Sequence, residues 1–217
     1  MKMMKPTTTA LRAAGALTLA LALAACSALP ERPEHQKVWD LGAPPALQGA
    51  AAQGAALSLS AIRATPALEG NALHYRLLYD TEGDLQPRPY AHSRWASPVP
   101  QMLAQRLQQV LAASRPVLEG GSGRLAPLDL RLTLDEFAQH FANESESSSV
   151  IQMRATLFGG QPRRLLAQRS FAATRTAPSP DAAGGVHALR EATNDIAAQL
   201  DAWLRQYDGV TAEQVKK

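Results

Sequence analysis

The only cysteine of the chain, Cys26, ends the run Leu23-Ala24-Ala25-Cys26. A lone cysteine cannot form an internal disulfide, but its thiol can accept a covalent lipid. Other residues with chemical potential are scattered. Glu136 and His140 stand four apart, a spacing that pairs side chains on a helix. Their segment reads as a strand, so no metal site is expected there. Gly121-Ser122-Gly123 is too short to cradle a phosphate and reads as a linker. Asn143-Glu144-Ser145 matches a glycosylation sequon but reads as a hairpin tip. His74 falls on the polar face of a strand pattern, where it is expected to be solvated. Neither a Gly-x-Ser-x-Gly elbow, a His-Glu-x-x-His pair nor a Gly-x-x-x-x-Gly-Lys loop occurs. Catalysis has no residue to stand on, and the expectation is a non-enzymatic protein without metal.

The elements around Cys26 explain its place. The chain opens with Lys2, Lys5 and Arg12, and from Ala13 to Ala25 it carries no charge. A basic start, a short apolar run and small residues before a cut are the three parts of a secretory signal. A membrane-spanning helix needs about 20 apolar residues, more than this run offers. Leu23-Ala24-Ala25-Cys26 resembles the bacterial lipobox, in which the signal is cut before the cysteine. The resemblance implies cleavage between Ala25 and Cys26, diacylglycerol on the Cys26 thiol and an acyl chain on the new amino terminus, and no other cofactor. An ordinary signal peptide with a chance cysteine is the alternative. Two or more acyl chains anchor stably, each buried methylene contributing about 0.8 kcal/mol. In lipoproteins of this kind an Asp after the cysteine favours the inner membrane. Ser27 therefore implies the outer membrane, on its periplasmic side. Removing residues 1–25 takes away all of the formal net charge of +3. The mature chain has no basic excess to suggest nucleic acid.

Residues 26–36 are polar with two prolines and read as a tether. The domain is expected over 37–207, with a polar tail at 208–217. Val38–Leu41 reads as a brief strand and 46–56 as a small-residue loop. Leu57–Arg63, Leu73–Tyr79 and Leu128–Leu134 alternate with a period of two, and 85–96 reads as a proline-broken edge strand. Phe137 and Phe141 extend the third of these patterns with a change of phase that predicts a bulge. Ile151–Leu157 returns, and Leu165, Ala167 and Phe171 mark one face of a last strand. Between them, Val99, Met102, Leu103, Leu107, Val110 and Leu111 form a helical stripe. Val186, Leu189, Ile196, Leu200, Trp203, Leu204 and Tyr207 form another, after a loop over 177–185. The predicted fold is an α+β two-layer sandwich. A mostly antiparallel sheet of about five to six strands would carry both helices on one face. Tyr75, Tyr79 and Trp95 flank the first helix and, with Trp203, either line a lipid or partner groove or pack in the core.

The segments "VWDLGAPP", "HYRLLYD", "YAHSRWASPVPQMLAQRLQQVL", "LDLRLTLDEFAQHF" and "ALREATNDIAAQLDAWL", in this order behind a lipobox, resemble the ABC-type transport auxiliary lipoprotein family. Trp39 departs from the tyrosine common at its position, and the 46–56 insert is a second departure. The resemblance implies an outer-membrane lipoprotein that assists an ABC-type intermembrane transport system. Its partners would be a substrate-binding protein with MCE domains, a permease and an ATPase, and its cargo phospholipid. A homo-oligomer is compatible with this role. The alternative is a periplasmic lipoprotein that assembles or plugs an outer-membrane β-barrel, as in lipopolysaccharide assembly.

Overall fold

The computed structural model describes residues 35–44, 53–119, 126–160 and 163–209. The signal segment 1–25, Cys26, the tether through residue 34, most of the 46–56 insert, the Gly120–Gly123 link and the tail after residue 209 lie outside the described residues.

Among the described residues, nine strands and two α-helices follow in the order β1 (Lys37–Trp39), β2 (Leu57–Leu59), β3 (Arg63–Ala64), β4 (Ala72–Leu77), β5 (Arg88–Trp95), α1 (Val99–Leu111), β6 (Val117–Glu119), β7 (Leu128–Phe141), β8 (Ser147–Gly159), β9 (Arg164–Thr176) and α2 (Ala182–Leu204). The architecture is α+β, but the sheet is mixed and has nine strands, not mostly antiparallel with five to six. The reason lies in β7. Its 14 residues pair along one side with the antiparallel β8. The other side seats three short strands end to end, all parallel: β2 on Leu128–Leu130, β3 on Thr133–Leu134 and β4 on Gln139–Phe141. Segments of two or three residues are too short to show an alternating pattern, and parallel pairing is set by crossovers rather than by local sequence. The predicted strand over Leu57–Arg63 is thus two strands, and β6 was not foreseen at all.

Leu128, Leu130, Leu132 and Leu134 are buried, as are Leu157, Ala155 and Met153 opposite the last three of them and Ile151 opposite Phe137. The register shifts between Leu134 and Glu136. This bulge moves the buried face by one residue, so Phe137, Gln139 and Phe141 continue it, as the phase change predicts. A second shift, opposite Leu157 and Phe158, takes Leu165 out of the face it was expected to share with Ala167 and Phe171, and leaves it exposed. β5 is not an edge strand. Near its end it pairs with β4 on one side and with β1 on the other.

α2 packs across β7, β8 and β9 and against α1. It starts earlier than its apolar stripe suggests. Asp181 caps it, accepting from the Gly184 amide at 2.8 Å, a pairing that satisfies one of the orphan first-turn donors. The helix stripes agree with the burial of Val99, Met102, Leu103, Leu107 and Leu111 in α1, and of Val186, Leu189, Ile196, Leu200, Trp203 and Leu204 in α2. The tail does not begin loose at Asp208. Its carboxylate accepts from the fully buried Arg115 at 2.7 Å and from the Ala55 amide at 3.2 Å.

Candidate functional site

On the face of β7 opposite the leucines, four polar residues meet. Arg76 of β4 donates from Nε and Nη2 to the two oxygens of Glu136, each at 3.1 Å. His140 Nε2 lies 3.3 Å from Glu136 Oε1. The sequence reading held that residues four apart do not pair on a strand. Here two long side chains, stretched toward each other along β7, close the gap. His74 is buried rather than solvated, because the 3₁₀ turn Pro66–Leu68 roofs its face of β4 beside Arg76 and Glu136.

Electrostatics follow from this geometry. Burial pushes the His74 imidazole below its ordinary range, and the neighbouring Arg76 adds to this against the Glu136 charge. Burial would raise Glu136, but the hydrogen bonds from His140 and Arg76 outweigh it and hold the carboxyl below its ordinary value. Glu136 is therefore a fixed anion, with both oxygens engaged. The cleft beside it measures about 40 Å³, room for no more than a few water molecules. Among the described residues no hydroxyl or thiol nucleophile is hydrogen-bonded to either histidine. Among the described residues no three histidine, cysteine or acidic side chains are placed to hold a metal. The cluster does structural work, joining β4 to β7.

The four aromatic candidates do not form one groove. Trp95 is fully buried against Phe137, with ring centroids 5.6 Å apart. Trp203 is buried between Phe171 and Tyr207. Both are core residues. Tyr75 is half-buried and packs on Tyr90 and Phe141. Tyr79 alone stands at the surface, 49% exposed, in the turn after β4. An open groove of about 480 Å³ runs between the end of β9 and α2, with a mixed lining of Thr174, Arg175, Thr176, His187 and Glu191 beside Ala177, Pro178 and Ala188.

Three positions that sequence reasoning missed hold the molecule together. Arg106 lies inside the apolar stripe of α1 and is buried. Its guanidinium donates to the carbonyls of Leu41, Gly42 and Ala43, pinning the segment that follows β1. Gln139, between Phe137 and Phe141, is fully buried; it accepts from the Tyr90 hydroxyl and donates to Ser147 Oγ, both at 2.8 Å. Arg115 is the third. A polar residue at a position where the apolar period expects a core side chain was the available signal in the first two cases.

A mixed nine-stranded sheet covered by a long helix among the described residues defines an α+β domain. The chain belongs to the family of ABC-type transport auxiliary lipoprotein components, which matches residues 39–201. Solved structures agree on the fold. A Xanthomonas campestris protein of the DUF330 family is 20% identical, with a TM-score of 0.61 over 84% of this chain and 94% of its own. A second, uncharacterized protein is 18% identical, with a TM-score of 0.59 over 79% of this chain and 99% of its own. No curated protein matches the sequence.

Proposed function

We propose that this chain is an outer-membrane-anchored periplasmic lipoprotein serving as a non-enzymatic auxiliary component of an ABC/MCE-type system that moves lipid between membranes. The observation that carries the reading is the family match over residues 39–201, behind a lipobox-like Leu23-Ala24-Ala25-Cys26. In this reading diacylglycerol and an N-acyl chain on Cys26 hold the protein to the bilayer, and residues 26–36 give it reach. The folded domain supplies a docking surface for an MCE-domain protein. Energy comes from the ATPase of the system, so this chain needs no phosphate loop.

Two measurements test it. Radiolabelled palmitate is expected to label the wild type and not Cys26→Ala; equal labelling refutes the anchor. Affinity purification from membranes is expected to recover the MCE-domain protein together with its permease. Recovery of a β-barrel in their place favours the assembly-factor reading.

A further inference from the structure

The surface where exposed apolar side chains gather is the turn between β4 and β5. Among the described residues, Leu78, Tyr79 and Leu85 are 46%, 49% and 75% exposed, and all three lie on this one turn. The turn is rigid. The Asp80 amide donates to the Leu77 carbonyl, Gly83 to Asp80 and Leu85 to Glu82. Arg76 donates to the Asp84 carbonyl at 2.7 Å, and Arg88 to the Asp80 carboxylate at 2.8 Å. A Cβ on Gly83 would lie 1.6 Å from the Leu77 carbonyl oxygen, so the chain folds back at a distance only glycine allows. Apolar residues held outward by a preorganised turn lose little entropy on docking.

A second turn stands beside it. Leu77 is in register with Phe141, and the Leu78 amide donates to the Phe141 carbonyl. The β4–β5 and β7–β8 turns therefore leave the same end of the sheet together. Asn143 Oδ1 accepts from the amides of Ser145 and Glu146 and fixes that second turn. Asp80, Glu82, Asp84, Glu144 and Glu146 are all exposed on these two turns. Arg76 is paired with Glu136 and Arg88 with Asp80, which leaves Glu82, Asp84, Glu144 and Glu146 as the carboxylates of this end. The result is an apolar knob ringed by negative charge.

We infer that this end of the sheet is a docking surface for a protein partner whose apolar recess is rimmed by lysine and arginine. An anionic bilayer would be repelled by the same carboxylates, and like-charged proteins are rejected in the same way. The identity of the partner rests on the function proposed above; the surface itself does not.

Full-length protein carrying photoreactive benzoylphenylalanine at Leu85 or Tyr79, with Leu165 on β9 as control, is irradiated in cells, and the adducts are identified by mass spectrometry. A single protein adduct at 85 and 79, absent at 165, is expected. Adding Asp84→Lys and Glu144→Lys should cut its yield about tenfold, with the melting temperature unchanged. Absence of adducts, adducts to lipid, equal adducts at 165, or a yield unmoved by charge reversal each overturn the inference. If the captured protein belongs to no transport system but its yield responds to charge, the surface stands and the proposed function falls.

Discussion

Gly185, in the first turn of α2, sits directly over Gln139 of β7: a Cβ built on Gly185 would fall 2.0 Å from Gln139 Oε1. The Gly185 carbonyl accepts from Ser149 Oγ at 2.9 Å, and Gln139 is held by Tyr90 and Ser147. The helix start and the sheet are thus joined by a buried polar lock that admits a Cβ at its closest point only if the Gln139 side chain gives way. Gly185→Ala is expected to lower stability by about 1–3 kcal/mol, seen as a lower melting temperature. Because the clash is with the Gln139 side chain, the same change in a Gln139→Ala background should cost clearly less, and additive losses would show that the two are not coupled.

Arg106→Met should free the segment that follows β1. Burial and the nearby Arg190 push the guanidinium below its ordinary pKa, and Asp40 and Glu191 act against this. The three carbonyls of Leu41, Gly42 and Ala43 are the partners it would lose. Each hydrogen bond from a charged group contributes about 1.5–3 kcal/mol. Limited proteolysis is expected to cleave the variant near residues 41–44 well before the wild type, and equal cleavage rates would exclude the clamp.

Acid should weaken the domain in two steps. His74 is depressed in the folded state, so its neutral form is favoured by folding. That contribution is complete above its ordinary value of 6.5 and is lost as pH falls below it, because the unfolded chain takes the proton first. Glu136 is also depressed, and its contribution is complete above 4.5 and is lost as pH falls further. Urea midpoints measured from pH 7.5 to about 3 should stay level above about pH 6.5, decline below it as the His74 contribution is lost, and decline again below about 4.5 as that of Glu136 is lost. His74→Gln is expected to flatten the upper part of that decline and leave the lower part. An unchanged slope between pH 6.5 and 5 would remove His74 from the account.

Leu132→Asp places a carboxylate at a position only 1% exposed, opposite Ala155. An unpaired buried charge is not offset by any partner there, and the variant should fail to give a cooperative melt. The milder Leu132→Ala is expected to fold with a loss of about 2–5 kcal/mol. Near-native melting of both would place Leu132 outside the core.

The long strands, the bulge in β7, both helices and the core leucines are legible in the order of the residues, because they depend on periods of 2 and 3.6 repeated over enough positions to be read. The lipidation expected at Cys26 rests on the sequence alone, since a signal is recognised as an extended segment. Tertiary structure decided what short segments do. Val117–Glu119 becomes a strand, and Leu57–Arg63 divides into Leu57–Leu59 and Arg63–Ala64, because neighbouring strands offer unpaired hydrogen-bonding edges there. It also decided that His74 is buried, since its cover comes from Pro66–Leu68 and not from its own strand. Arg106, Arg115 and Gln139 are polar residues in the interior whose partners are distant in sequence. Their cost of burial is offset by carbonyls, carboxylates and hydroxyls that only the completed fold brings within reach.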